Sequence, residues 1–134
     1  MSSKPESSFI AGVHKHLPPG RRNPYWMKNH NVYTAGVWDI WYSGSRRSLW
    51  IEYKFIDRIP KDGIIIPKLS ELQMQWGLDR QAEKQNLVVV IGTKTGGFIL
   101  GHPNHWKNGL LASVNPIYTR KEIAEWIIDY TEKP

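Results

Sequence analysis

The sequence predicts a single α/β domain in which helices flank a mixed central sheet. The chain has 134 residues, which is the size of one domain. Hydroxyl residues at Ser3, Ser70 and Thr119 are each followed three positions later by Glu or Gln, a pattern typical of helix starts. One of these helices falls between two apolar stretches, 48–55 and 87–92, and a helical crossover joins parallel strands. The predicted order is helix, three strands, helix, strand, strand, helix.

The first half of the chain supplies one helix and three predicted strands. The helix begins near Ser3, and the Pro- and Gly-rich stretch 18–24 breaks it. Its apolar positions at helical spacing are Phe9, Ile10, Val13 and Leu17. Residues 25–36 are expected to be extended, and residues 37–42 and 48–55 are expected to pair as a hairpin.

A second helix is predicted after a long connection. Residues 56–69 are punctuated by Pro and Gly, with a short extended piece at 64–66. The helix runs from Ser70 to about Gln85, and Gly77 weakens it by about 1 kcal/mol. Its predicted buried stripe consists of Leu69, Leu72 and Trp76.

The last third of the chain predicts two strands and a final helix. The run LVVVIG at 87–92 is apolar throughout, as in a strand covered on both faces. A second strand is expected at 98–101, followed by a loop at 102–116. The final helix starts at Thr119, and residues 129–134 are expected to be frayed. The residues predicted to share its buried face are Ile123, Trp126, Ile127 and Tyr130.

Charge and composition restrict the class of partner. Lys and Arg number 18 against 12 Asp and Glu, so the net charge is +6. Such a balance favours a polyanion such as nucleic acid, although it can also serve solubility alone. The absence of Cys excludes disulfides and thiolate metal sites. No apolar run approaches the ~20 residues of a membrane span, and MSSKPESS is not a signal peptide, so a cytoplasmic protein is expected.

Three charged residues in the predicted hairpin form the central pattern. Glu52 and Lys54 are two residues apart in a strand and therefore share a face. Strict alternation in the neighbouring strand places Asp39 on one face and Trp38 on the other. If the register brings Asp39 to the Glu52 face, two carboxylates meet and resist joint ionisation unless a cation lies between them. A hard divalent cation such as Mg²⁺ would suit these oxygens; the alternative is a solvated salt bridge.

Two polar helix residues point toward the same sheet. Glu6 precedes Phe9 and Ile10 by three and four residues, so it lies on the buried side of the first helix. Gln73 borders the buried face of the second helix. Each also occupies the third helical position of a capping box, which is a sufficient structural role by itself.

Further candidates are less specific. Basic residues around the pattern could contact phosphates or simply be solvated: Arg21, Arg22, Lys28, His30, Arg46, Arg47, Arg58 and Lys61. Tyr25 and Trp26 could stack on exposed bases, although Trp26 suits a core equally well. A zinc site made only of His finds little support, because no Cys and no His-Glu-x-x-His run accompany the five His.

Five stretches within residues 6–92 resemble the PD-(D/E)XK nuclease superfamily, and within it the small stand-alone VRR-NUC type that is frequent in phages. They are ESSFIAGVHKHL starting at Glu6, AGVWD ending at Asp39, LWIEYK containing Glu52 and Lys54, and LSELQMQW, containing Gln73, together with NLVVVIG. The spacing of Asp and Glu-x-Lys is a weak pattern, and the following helix and apolar strand make it more specific.

The resemblance implies a restriction-endonuclease-like core over about 3–101, with a C-terminal extension at 102–134, in one domain of residues 1–134. It implies a phosphodiesterase that depends on Mg²⁺ or Mn²⁺. The implied metal ligands are Asp39, Glu52 and the backbone carbonyl of Tyr53, with Glu6 assisting through water.

The resemblance also implies roles for two further residues. Lys54 would act on the attacking water, and Gln73 would position water, Lys54 or phosphate. The implied substrate is DNA, plausibly branched as in four-way junctions, cut by a homodimer in the cytoplasm, or in the host cytoplasm if the gene is a phage's. Trp38 departs from the family pattern, which has Pro before Asp39. Open alternatives are an exonuclease or restriction-like nuclease on the same core, and a basic DNA-binding module without catalysis.

Overall fold

A five-stranded mixed sheet forms the centre of the protein. The computed structural model describes residues 3–29 and 35–134. The strands are β1 (Tyr25–Lys28), β2 (Ile40–Ser43), β3 (Ser48–Phe55), β4 (Ile64–Ile65), β5 (Leu87–Gly92), β6 (Gly97–Leu100) and β7 (Leu110–Leu111), and the helices are α1 (Lys4–His14), α2 (Glu71–Ala82), α3 (Pro103–Asn108) and α4 (Arg120–Glu132). The predicted class, a mixed sheet flanked by helices, is confirmed.

The strand order of the sheet is β1-β2-β3-β5-β6. Strands β1, β2 and β3 are antiparallel neighbours, β3 and β5 are parallel, and β6 returns antiparallel to β5. The crossover between β3 and β5 contains α2, as the sequence predicts. The short strands β4 and β7 pair separately.

One face of the sheet packs against α1 and α4. Side chains from β2, β3 and β5 meet the apolar stripes of both helices, as predicted from their spacing. The fully buried members include Phe9, Val13, Ile40, Tyr42, Ile51, Tyr53, Val90, Ile123 and Ile127. Burial of this apolar face holds the hairpin of β2 and β3 in a fixed position.

The opposite face is covered by α2 and α3 and is rich in Trp. Trp38 and Trp106 are fully buried, and their ring centroids lie 4.9 Å apart. Trp76 of α2 packs on Trp38 at 6.2 Å and on Trp50 of β3 at 4.9 Å. This cluster excludes water from the middle of β3 on the side where Glu52 lies.

The start of the second strand differs from the prediction. Residues 37–42 were expected to be regular, but β2 begins at Ile40 and Asp39 lies in a bend. Strict alternation therefore fails before residue 40, and Trp38 joins the cluster on the α2 side instead of the face that holds Ile40. The predicted extension of 25–36 is observed at 25–28, and residues 30–34 lie outside the described part of the chain.

The buried stripe predicted for α2 is confirmed for Leu69 and Trp76, which pack against the Trp-rich face, and is wrong for Leu72. Leu72, expected to be buried, is 57% exposed. Gln73 and Gly77 turn toward the sheet with Trp76, since positions three and four apart share a helix face. The helix ends at Ala82, three residues before the predicted end.

The C-terminal third is more regular than predicted. The expected loop at 102–116 contains α3 and β7. The expected frayed end is the last turn of α4, where Thr131 is fully buried and its carbonyl accepts the backbone N–H groups of Arg46 and Arg47. None of the helices in the described ranges has the length and apolar character needed to cross a membrane.

Candidate active site

The register of the β2–β3 hairpin brings Asp39 to Glu52. Ile40 pairs with Ile51, and continuing this antiparallel register by one residue sets Asp39 opposite Glu52. The backbone N–H of Asp39 donates to Glu52 Oε1 at 3.1 Å. The carboxylate of Asp39 in turn accepts the backbone N–H of Tyr53 at 3.2 Å. The register therefore brings Asp39 to the face of Glu52, as the predicted acidic pair requires, and both carboxylates lie at the same point of the sheet.

Helix α2 completes the cluster through Gln73. Its side-chain Nε2 donates to Glu52 Oε2 at 2.9 Å, and its Oε1 accepts Lys54 Nζ at 3.1 Å. The same Oε1 accepts the backbone N–H of Ser70 at 3.0 Å, and Ser70 Oγ accepts the N–H of Gln73 at 3.0 Å. The capping role and the role in the cluster are thus both present in one side chain.

Lys54 lies beside Glu52 at the edge of the cluster. Its ammonium is 3.4 Å from Glu52 Oε2, and its side chain remains partly accessible while that of Glu52 is buried. Glu52 faces the Trp-rich side, where its neighbour across the parallel pair is Val89. A reactant entering the cluster would therefore reach Lys54 before Glu52.

Burial raises the pKa of both carboxyl groups. Glu52 is only 2% exposed, and burial, reinforced by the charge of Asp39, raises its pKa to about 8 against the opposing effect of Lys54. Burial also raises the pKa of Asp39, while the Tyr53 N–H, Lys54 and Lys28 oppose the shift. Two carboxylates and one ammonium sum to −1, so the ionised cluster lacks positive charge.

Glu6 lies close enough to act on this cluster. It is half-buried in the first turn of α1, where its N–H donates to Ser3 Oγ at 3.2 Å. Its negative charge contributes to the raised pKa of Glu52. The structure thus brings the starts of α1 and α2 to the same end of the hairpin.

The donor chemistry of the cluster fits a hard divalent cation. Asp39 and Glu52 offer carboxylate oxygens, which Mg²⁺ and Mn²⁺ prefer, and burial raises the pKa of both groups, a cost that a bound cation would offset. Within residues 3–29 and 35–134, no three His, Asp or Glu side chains are grouped as a metal site. Any further ligands would have to come from backbone, water or substrate, and the Tyr53 carbonyl and Glu6 remain predicted contributors.

Trp38 connects the Asp39 segment to the helix that carries Gln73. Its indole Nε1 donates to the backbone carbonyl of Gln73 at 3.0 Å. Its ring lies directly on Gly77, where an added Cβ would come within 2.5 Å of the ring. Gly36 makes a second close approach, since a Cβ there would lie 2.6 Å from the Leu72 carbonyl. The sequence pattern predicts neither contact, since by helix propensity Gly77 is only a weak point of the helix.

The predicted DNA-contacting residues divide into two groups. Lys28 lies near enough to Asp39 to oppose the rise in the pKa of its carboxyl group that burial causes. Arg22 is exposed, and the guanidinium of Arg21 lies 4.2 Å from the ring of Trp26. Trp26 and Lys28 share the α1 face of β1, where they pair with Tyr42 and Ile40, so Arg21 and Lys28 lie on the side of the sheet opposite Glu52. His30 lies outside the described residues.

Arg46 and Arg47 lie in the turn at the other end of the hairpin. Arg47 is five residues from Glu52 along β3, or roughly 16 Å. Its guanidinium donates to the carbonyls of Tyr130 and Lys133 at 2.8 and 2.9 Å. The structure therefore does not bring these two arginines to the cluster, and the contacts of Arg47 favour a role in holding the end of α4.

A second polar network lies on the opposite face of the same hairpin. His14 Nε2 is 2.8 Å from the hydroxyl of Tyr42, which is 2.7 Å from that of Tyr53. Burial, assisted by Arg21 and Lys28, lowers the pKa of His14 to about 4. The network is thus neutral near pH 7, and adjacent residues of β3 belong to two chemically different networks.

Comparison with known proteins supports the fold. No protein-family model and no curated protein matches the sequence. Among solved structures, the chain is similar to Hjc, a Holliday junction resolvase from the archaeal hyperthermophile Archaeoglobus fulgidus. The TM-score is 0.57 at 13% identity, over 93% of this chain and 99% of that chain. At this identity the similarity establishes the fold alone, which is the restriction-endonuclease-like fold expected from the sequence.

Proposed function

We propose that this protein is a metal-dependent DNA endonuclease with a preference for branched DNA. One observation carries the proposal: Asp39, Glu52, Lys54 and Gln73 form a continuous hydrogen-bonded cluster. The fold on which they lie is shared with a Holliday junction resolvase. A cluster that needs positive charge and carries a basic neighbour suits hydrolysis of a phosphodiester.

The chemistry divides between the cation and the side chains. Mg²⁺ or Mn²⁺, held by Asp39 and Glu52 with the Tyr53 carbonyl, would polarise the phosphate and favour ionisation of water. Lys54, the accessible member, would orient the attacking water or stabilise negative charge on a phosphoryl oxygen. Gln73 fixes Lys54 and Glu52 relative to each other, since it bonds both. The product would carry a 5′-phosphate.

Branched DNA is the proposed substrate for two reasons. The protein of similar fold is a Holliday junction resolvase, and the net charge of +6 suits a polyanion. A four-way junction has two-fold symmetry, which a homodimer would match. The same proposal includes membership of the VRR-NUC type, a phage origin and a site of action in the host cytoplasm.

A DNA-binding module without catalysis explains the cluster less well. Buried acidic groups next to phosphate would weaken binding unless a cation lay between them. An exonuclease or a restriction-like nuclease would use the same cluster, so only the form of the substrate separates these from the proposed activity.

A nuclease assay tests the proposal. Labelled four-way junctions, linear duplexes and covalently closed circles are incubated with Mg²⁺ or EDTA. We expect junctions to be cut fastest, circles to be opened, and EDTA to stop all cutting; activity on free ends alone would indicate an exonuclease.

Glu52→Gln is the diagnostic variant, and Glu83→Gln is its matched control, because Glu83 is exposed and pairs with Arg80 away from the cluster. We expect Glu52→Gln to lose cutting and keep DNA binding, while the control retains both. Full cutting by Glu52→Gln would reject the proposal.

A further inference from the structure

Four side chains on the α2 side of β1, β2 and β3 form a continuous apolar surface. We call them the aromatic row: Tyr25, Met27, Trp41 and Trp50. Met27 pairs with Trp41 across β1 and β2, and Trp41 pairs with Trp50 across β2 and β3. The rings of Trp41 and Trp50 lie 6.4 Å apart, as do those of Tyr25 and Trp41. Their order is therefore fixed by the sheet itself.

The outer half of the aromatic row is not covered by the described parts of the chain. Tyr25 is 46% exposed and Met27 48%, whereas Trp50 at the inner end packs against Trp76 of α2. On the other face of β1, Trp26 lies 4.1 Å from the ring of His14 in α1. Large apolar side chains left open in this way mark an interaction surface.

The aromatic row leads directly to the candidate active site. Trp50 and Glu52 are two residues apart in β3 and share a face, at a separation of roughly 7 Å. Because Trp76 covers Trp50, the neighbouring nucleotides of a strand held at Lys54 would meet the row at Met27 and Trp41.

The charge of the protein favours an anionic partner. The chain carries a net charge of +6, and Arg22, three residues before β1, is exposed. A polyanion is attracted to such a protein, whereas a second copy of this chain would bring two like-charged proteins together. Aromatic side chains within basic surroundings are the chemistry that binds single-stranded nucleic acid, because every base has a face on which a ring can stack.

We propose that the aromatic row is a stacking surface for unpaired bases next to the phosphate that is cut. This inference rests on the proposed nuclease function and adds a substrate feature to it: DNA that contains unpaired or splayed nucleotides at the branch. The row would select such DNA over continuous duplex, since paired bases cannot turn their faces to it.

A binding experiment in EDTA separates this inference from catalysis. Fluorescence anisotropy compares a continuous duplex with the same duplex interrupted by a single-stranded gap. The variants are Tyr25→Ala, Trp41→Ala and Trp41→Phe, and the control is Ile117→Ala, which removes an equally exposed apolar side chain elsewhere. Thermal melts check folding, and Tyr25→Ala, as an exposed truncation, decides the result if Trp41→Ala unfolds.

We expect both Ala variants to weaken binding of gapped DNA by about fivefold or more, with duplex binding unchanged. Trp41→Phe and Ile117→Ala should bind both DNAs as the parent protein does. Equal weakening on both DNAs, or none, overturns the inference. So does conversion of a dimer to a monomer without a change in DNA preference, which would assign the surface to self-association. Failure of the parent protein to bind either DNA would instead count against the proposed function itself.

Discussion

The two faces of the β2–β3 hairpin carry polar networks of opposite character. On the α2 side, Glu52 is bonded to Gln73 and Lys54 and lies opposite Asp39. On the α1 side, the adjacent residue Tyr53 is bonded to Tyr42, which reaches His14. Both networks are buried, yet only the first contains groups that are ionised in ordinary peptides at pH 7.

This difference separates stabilisation from function. Neutral groups that are fully hydrogen-bonded inside a protein contribute modestly to stability, whereas closely placed carboxylates oppose burial. The raised pKa values of Asp39 and Glu52 express that opposition. The proposed cation would offset this cost between the two acids, whereas the tyrosine network has no such cost to offset.

The largest expected effect is on the cutting rate, when one residue on each face is substituted and the two variants are compared. Lys54→Ala should reduce the cutting rate by about 10²- to 10⁴-fold, because it removes the proposed water-orienting group. Tyr53→Phe should leave cutting within a few-fold of the parent protein and destabilise it by about 1 kcal/mol, since it removes one neutral hydrogen bond. Single-turnover cleavage and urea unfolding measure the two effects. A larger loss of cutting in Tyr53→Phe would reverse our assignment of the two faces.

The pH dependence of stability should have opposite signs on the two faces. The pKa of His14 is about 4 in the folded protein and 6.5 unfolded, so its stabilisation is complete above pH 6.5 and is lost as the pH falls to 4. The full effect is about 3 kcal/mol. The pKa of Glu52 is about 8 folded and 4.5 unfolded, so its stabilisation is present below pH 4.5 and is lost as the pH rises to 8.

Unfolding measured from pH 4 to 9 in EDTA tests these signs. His14→Gln should lose less stability than the parent protein as the pH falls from 6.5 to 4. Glu52→Gln should lose less stability than the parent protein as the pH rises from 4.5 to 8. Mn²⁺ should raise the melting temperature of the parent protein most near pH 8 and should have no effect on Glu52→Gln. An equal response of both proteins to Mn²⁺ would place the cation elsewhere.

A smaller effect is expected where the α2 face depends on close packing. Gly77→Ala forces a Cβ against the ring of Trp38 and should destabilise the protein by about 1 to 3 kcal/mol. Cutting should fall as well, because Trp38 is bonded to the backbone of Gln73. Leu78→Ala, on an exposed position of the same helix, is the control for urea unfolding and cleavage. Full stability in Gly77→Ala would contradict the packing described for α2.

The smallest effect on function is expected far from both networks. Arg47→Ala removes two hydrogen bonds to the end of α4 and should destabilise the protein by about 1 to 2 kcal/mol. Junction binding should hardly change, whereas Lys28→Ala, near Asp39, should weaken it measurably. Anisotropy with a four-way junction compares the two variants. A greater loss of junction binding in Arg47→Ala than in Lys28→Ala would indicate that Arg47 contacts DNA.

Local rules were sufficient to predict much of this site. The strand 48–55 and the caps at Ser70 and Thr119 follow from patterns within a few residues, and the structure has them at those positions. Two-residue alternation and the helical period also placed Glu52, Lys54 and Gln73 on facing surfaces. Their catalytic roles remain predictions.

Long-range contacts account for what local rules missed. Trp38 changes sides because the regular strand starts only at Ile40, and Gly77 supplies the space for its ring. Leu72 is exposed because Gln73 takes the position toward the sheet. The end of α4 is ordered by the turn at Arg46 and Arg47, which lies more than 80 residues earlier in the sequence.

The double use of the Gln73 oxygen has a further consequence. It accepts both the backbone N–H of Ser70 and the ammonium of Lys54. If the first turn of α2 unwinds, the ammonium loses the Gln73 oxygen and keeps only Glu52 as a partner, so the proposed orientation of Lys54 would be lost with it. Exchange of the Ser70 amide hydrogen with solvent should therefore report the fraction of molecules in which Lys54 is held in its proposed position.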